Sequence, residues 1–257
     1  MDRAVRIGVE LPVLPVGADA DRVAAWRSIA VAAERHGAGA VWIADGGCDP
    51  CTLAGGLVPV TDHVVLGVVC ELAGGRHPAV LARDVTALDV TSGGRAGVLV
   101  DGPAPALEEA VTICRALFAG QTLQFSGRHY DVDGAVNRPA PIRPGGPVLL
   151  TQSSTIPEPS AAAEPGTTVV QSATAKELST DEQPAVAGVG CVVTGHPHEI
   201  DVATLRRGGP VLWRGRVPDD RFAADLYDAG VDGVIALVET VDDAGPLVDD
   251  LVDRWAG

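Results

Sequence analysis

The stretch HGAGAVWIAD, residues 36–45, and its echo DAGVDGVIALVE, residues 228–239, decide the fold. Each runs from a helix end through a glycine turn into an apolar strand, and two copies of one unit far apart in a chain are the mark of a closed repeat. Around them, short β-branched runs alternate with segments of helical period, as in a parallel sheet with crossover helices. Eight runs read as strands: Val5–Leu11, Ala40–Asp45, Val64–Cys70, Ala96–Asp101, Pro147–Gln152, Thr167–Ser172, Ala187–Thr194 and Gly233–Glu239. A ninth, weaker run, Pro210–Trp213, competes for one of those places. Several are continuously apolar, as strands covered on both faces must be.

Helical stripes lie between them. Val23, Trp26, Ile29 and Ala33 mark one, with Asp19 or Asp21 as N-cap and Gly37 as stop. Leu81, Val85 and Leu88 mark a second, and Leu107, Val111, Cys114 and Phe118 a third that ends at Gly120. Phe222 and Leu226 follow Pro218 in a fourth, and Leu247, Leu251 and Trp255 face inward in the last. The expected architecture is a single α/β domain over 1–257, a (β/α)8 TIM barrel of ordinary length. Over Thr151–Pro210 Pro, Ser, Thr and Glu dominate, so the barrel is expected to be a reduced one, with shortened helices and loops in its second half.

Composition excludes several functions. With 34 acidic against 19 basic residues the formal charge is −15, which argues against nucleic acid, whose phosphates are neutralised by Lys and Arg. Lys176 is the one lysine, so Schiff-base chemistry has a single candidate. No apolar run is long enough for a membrane span. Five cysteines do not form a disulfide framework, and the N-terminus lacks the basic-then-apolar pattern of a leader, so the expected location is cytoplasmic. A small molecule is the expected ligand.

In a barrel of this kind chemistry sits at the C-terminal strand ends. The polar residues there are Glu10, Asp45, Glu71, Asp101, Gln152, Ser153, Ser154, Gln171, Ser172, Thr194 and Glu239. Of these Asp45, Glu71 and Asp101 are the candidate catalytic carboxylates, the plain alternative being helix caps and surface turns. GHPHE, residues 195–199, has a His-x-His spacing able to meet a metal, but its proline and setting suit a surface turn, and no metal is expected. CDPC, residues 48–51, has the spacing of a redox or zinc pair without the second pair a zinc site needs. There is no P-loop, no G-x-G-x-x-G after the first strand and no G-x-S-x-G elbow. TQSSTIP, residues 151–157, is the nearest phosphate-binding turn.

RHPAVLARDVTALDVTSGGRAGVLVDG, residues 76–102, carries Arg76, Pro78, Leu88, Asp89, Ser92, Gly94 and Arg95 in an order that resembles the bacterial luciferase-like monooxygenase family. Residues 107–150 add a similar Glu-bearing helix, a G-x-x-Y hairpin and a Pro-rich approach to the next barrel strand. The resemblance implies a barrel that binds FMN or a deazaflavin, acts as an oxidoreductase or monooxygenase on a small organic substrate, and often forms a homodimer. Carried over by position, it implies that Val69, Cys70 and Glu71 face the flavin ring at a non-proline cis peptide. Asp101 and Gly102 would lie beside the ring, and Ser153 and Ser154 at the phosphate. Arg95 reads as a structural residue at a helix–strand junction.

The sequence departs from the family in one respect above all. Asp101–Ala106 crosses directly into the next helix, omitting a longer segment that walls the flavin pocket in the family. The alternative expectation is therefore a divergent barrel without flavin, serving as a cofactor-free enzyme through Asp45, Glu71 and Asp101 or as a binding or partner subunit.

Overall fold

Runs such as Ala96–Asp101 are apolar at odd and even positions alike and are stable only where both faces are covered. In the computed structural model, which describes residues 6–15, 17–72, 75–152, 190–200, 202 and 210–255, they are the staves of a closed parallel barrel. In chain order the strands are β1 (Ile7–Leu11), β2 (Ala40–Ala44), β3 (Val65–Glu71), β4 (Ala96–Asp101), β5 (Leu123–Ser126), β6 (Asp131–Ala135), β7 (Val148–Gln152), β8 (Gly190–Val193), β9 (Val211–Gly215) and β10 (Gly233–Leu237). β5 and β6 form a separate antiparallel hairpin, and the other eight close the barrel when β1 pairs with β10 from Ile7↔Val234 to Glu10↔Leu237.

The helices are α1 (Ala20–Arg35), α2 (Pro50–Gly55), α3 (Pro78–Ser92), α4 (Ala104–Phe118), α5 (Asp220–Asp228) and α6 (Val241–Trp255). α1 starts where Asp19 accepts from the Arg22 amide and buries Trp26, Ile29, Ala30 and Ala33. α3 ends at Gly93, whose φ of 71° suits a residue without Cβ. In α5 the cap is Asp219, so Pro218 stands just outside the helix.

Two strand expectations change. The weaker run Pro210–Trp213 is a barrel strand, β9, because it pairs with both β8 and β10. Thr167–Ser172 lies outside the described residues, and the eight places in the barrel are filled without it.

Alternate strand residues enter the lumen, where Ala40, Trp42, Val65, Val69, Leu99, Leu150, Val192, Leu212 and Ile235 make an apolar core. The fully buried Trp42 fills the space that its neighbours leave. A Cβ at Gly8 would come within 2.7 Å of its Nε1, and one at Gly67 would fall on its six-membered ring. Outward side chains pack under the helices as a separate layer.

Four carboxylates fasten the connections to the barrel by accepting from backbone amides. Glu34 of α1 takes the amides of Asp62, His63 and Val64 before β3. Asp89 of α3 takes those of Ile142 and Arg143 before β7, at 2.7 and 3.1 Å. Glu109 of α4 takes those of Arg128, His129 and Tyr130 in the hairpin turn, and Asp232 takes that of Val211. The G-x-x-Y motif follows from this: a side chain at Gly127 would collide with the Glu109 carboxylate, while Tyr130 packs edge-on against His77, with ring centroids 5.5 Å apart.

Arg95 has the structural role read from the sequence. It donates to the Ser92 carbonyl, the Thr61 hydroxyl and the carbonyls of Val64 and Val58, joining α3 to the segment before β3. Arg95→Ala leaves these acceptors without a donor and should cost about 2–3 kcal/mol, lowering the melting temperature by roughly 5–10 °C. An undiminished melting temperature in a thermal scan would contradict this.

The Glu34 latch gives a pH dependence. Burial pushes its carboxyl pKa up, but the amides of His63, Val64 and Asp62 outweigh that and hold it below the usual carboxylate value. A depressed folded-state pKa means that the latch stabilises fully above the unfolded value and is lost as pH falls through the folded one. Because the carboxylate rim meets solvent, Glu34→Gln should cost only about 1 kcal/mol at pH 7. The gap between wild type and variant should close on acidification, as followed by urea denaturation at stepwise lower pH.

Candidate active site

The alternation that builds the lumen ends at a polar layer. At the C-terminal ends of β3, β4 and β7, Glu71, Asp101 and Gln152 are successive register partners. Asp101 and Gln152 are buried, whereas Glu71 opens to solvent. Over the intervening β10, Arg214 of β9 reaches Glu10 of β1, with Nε donating to Oε2 at 2.5 Å and Nη2 to Oε1 at 2.8 Å. Its Nη1 approaches Gln152 Oε1 at 3.4 Å. Burial pulls the Arg214 pKa down, but the bond to Glu10 and the charges of Glu10, Asp101 and Glu71 more than offset it, so the pKa ends above its ordinary value.

The mouth is thus a guanidinium clamped by one carboxylate and facing two more, above an apolar floor. Such a layer can position a polar ring, donate to a carbonyl oxygen and exchange a proton through a carboxylate.

The structure distributes the residues expected to be functional. Glu71 and Asp101 come together at the mouth, and Asp45 stands exposed on the rim one residue beyond β2. Val69 lies in the lumen one layer below Glu71. Cys70 turns the other way and packs in the outer core, so only its backbone borders the mouth. The Gly102 amide donates to the Gln152 carbonyl, and a Cβ there would press on Leu72 at 2.9 Å. Ser153, Ser154, Gln171 and Ser172 lie outside the described residues.

The cis peptide among the described residues is Arg138–Pro139, so the bonds of Val69–Glu71 are trans, contrary to what the resemblance implied. The connection from β4 is as short as the sequence indicated, with α4 beginning at Ala104. Arg76, one of the residues that carry the family resemblance, is engaged by Asp49 at 2.5 Å and Asp84 at 3.7 Å.

The two short motifs are local structure. In CDPC, Asp49 caps α2 by accepting from the amide and hydroxyl of Thr52. GHPHE forms a single 3-10 turn over Pro197–Glu199, with the His196 ring 5.3 Å from His198 and 5.8 Å from Phe222. No three His, Cys, Asp or Glu side chains gather around a point suited to a metal among the described residues.

Sequence reasoning missed Arg214, which follows the short apolar run Val211–Trp213 and shows its role only once β9 is in the barrel. It also missed Glu108 on α4, whose pKa burial and then the charge of Glu109 push up to about 7.

The fold and the site together define a (β/α)8 barrel with a polar, carboxylate-rich mouth. The luciferase-like monooxygenase family model matches residues 7–106, so the resemblance seen in the sequence is borne out. Among solved structures, the coenzyme F420-dependent tetrahydromethanopterin reductase of Methanopyrus kandleri superposes with a TM-score of 0.71 at 12% identity, covering 98% of this chain and 99% of that one. An F420-dependent secondary alcohol dehydrogenase, solved with an F420–acetone adduct, gives 0.68 at 12% identity and the same coverage. The oxygenating constituent of 3,6-diketocamphane monooxygenase from Pseudomonas putida, a type II Baeyer–Villiger monooxygenase solved with FMN, gives 0.52 at 12% identity, covering 95% of this chain and 63% of that one. No curated protein sequence matches the chain. No helix among the described residues is long and apolar enough to cross a membrane.

The environment of the thiols yields a chemical test. Burial pushes Cys51 and Cys114 up to about 12 and Cys70 up to about 11, which leaves little thiolate at neutral pH, whereas Cys48 is exposed. Iodoacetamide at pH 7.5 should modify Cys48 well before Cys51, Cys70 or Cys114, as read by peptide mass spectrometry. Labelling of Cys51 as fast as Cys48 would contradict the burial.

Proposed function

We propose that this chain is a flavin- or deazaflavin-dependent oxidoreductase whose cofactor ring lies over the barrel mouth and meets a small organic substrate there. The observation that carries the reading is the mouth itself, where Glu71, Asp101, Gln152 and Arg214 form one polar layer directly above an apolar lumen. The deazaflavin is the favoured cofactor, because the two F420-dependent structures are matched over 99% of their chains and the FMN-bound monooxygenase over 63%.

The donor set fits the ring. Arg214 and Gln152 supply N–H groups for carbonyl oxygens of its pyrimidine half, and Val69 supplies an apolar surface beneath. The phosphate end would fall to Ser153 and Ser154. When bound, the cofactor supplies the redox chemistry, and the protein's part is to orient it and exclude competing reactions.

Asp101 is buried beside Gln152 and is suited to hold a proton near a reacting atom, while the exposed Glu71 is suited to exchange that proton with water. Asp45 on the rim would contact the part of the substrate that projects from the mouth.

A second reading rests on a specific feature. Glu10, Arg214 and Gln152 already span the mouth, and Gly102 leads through Pro103 into α4 without a pocket wall. On this reading the barrel has lost flavin and works as a cofactor-free enzyme through Asp45, Glu71 and Asp101, or as a partner subunit.

An absorbance spectrum of the purified protein, followed by titration with F420 and FMN under fluorescence quenching, separates the two. The expected result is saturable binding with a Kd on the order of a micromolar, weakened more than about tenfold by Ser153→Ala with Ser154→Ala. Absence of binding of either cofactor up to about a millimolar would transfer the assignment to the second reading.

A further inference from the structure

On the cofactor reading above, we propose that Arg214 is the residue through which the mouth senses the charge of its ligand. It would be a fixed donor to the carbonyl oxygen of the flavin's pyrimidine half, on which negative charge gathers when the ring is reduced. Three observations carry this.

Arg214 is the one basic side chain that the eight barrel strands turn inward among the described residues, with Leu212 below it in the lumen and Trp213 outside. Glu10 takes Nε and Nη2, whereas Nη1 reaches Gln152 only at 3.4 Å, longer than an ordinary N–H···O bond. Glu10 therefore holds the guanidinium in place, while Nη1, with only a long bond to Gln152, keeps donor capacity, since the group carries five N–H donors.

Packing does not explain the pair. The side chains of Arg214 and Glu10 are only 19% and 7% exposed, and two charges taken out of water cost more than an apolar pair of the same volume. The layer beneath is closed by apolar residues alone. A clamped guanidinium at the mouth has its largest effect on a ligand whose own charge changes during the reaction.

The test uses Glu10→Met with Arg214→Met, which removes both charges together and leaves neither unpaired. The melting temperature should be unchanged or higher. Binding of reduced F420 or FMN should weaken about tenfold more than binding of the oxidised form, which corresponds to a midpoint potential about 30 mV lower. Arg214→Lys alone, which keeps the charge without the fork, should recover most of the potential. Should the methionine pair not fold, Glu10→Gln with Arg214→Gln removes the same charges with side chains able to bond one another, and the same shift is expected.

A wild-type potential in the charge-free variants overturns the inference, as does equal weakening of both redox forms. A wild-type chain that binds neither flavin removes the cofactor reading and this inference together. One that binds, with variants that bind alike, removes this inference alone.

Discussion

The pairing of Ile7–Glu10 with Val234–Leu237 is the contact on which the rest of the molecule depends. Until it forms, the sheet has two edges and no inside; once it forms, every second strand residue must enter a lumen of limited width. Trp42 can fill the centre only because Gly8 and Gly67 present no side chain to it. The same closure draws the first and last helices together, where His36 meets Asp249 at 2.9 Å and Gly245 leaves room for the imidazole. The mouth inherits its character from the alternation: positions that are apolar inside the lumen become Glu10, Glu71, Asp101, Gln152 and Arg214 where water reaches the top layer.

The acidic composition has a structural use as well as an exclusionary one. Glu34, Asp89 and Glu109 each take two or three backbone amides of a connection, and Asp232 takes the amide that opens β9. A carboxylate accepting from several amides forms charge-assisted bonds and removes the cost of leaving those amides unpaired. The Leu-Asp and G-x-x-Y motifs that give the chain its family resemblance are, in this light, fastenings. They report the barrel and say little about its substrate, since function is set by the site and not by the fold.

Much of the barrel was legible in short stretches of sequence. β4 is the run Ala96–Asp101 without adjustment, and α1, α3 and α4 follow their apolar stripes. These elements announce themselves because their burial is decided by neighbours three, four or two residues away. The choice between Thr167–Ser172 and Pro210–Trp213 has no such local answer, and pairing of β9 with β8 and β10 decides it. Among site residues, Glu71 and Asp101 were legible as polar residues ending apolar strands, whereas Cys70 between Val69 and Glu71 could be assigned a face only when the pleat was known. CDPC and GHPHE show the reverse case, spacings suggestive of chemistry that a helix cap and a ring stack account for.

By itself the sequence determined the class of fold, the positions of most strands and helices, the acidic balance of the chain, and the presence of carboxylates at strand ends. Each rests on composition or on periodicity over a few residues. Only the tertiary structure decided that Arg214 meets Glu10, 204 residues away in the chain, and lies within reach of Gln152. The same holds for the register that makes Glu71, Asp101 and Gln152 neighbours. The first contact needs β1 to close on β10, the second the direct pairing of β3, β4 and β7, and no local pattern records which residues of separate strands will stand at the same height.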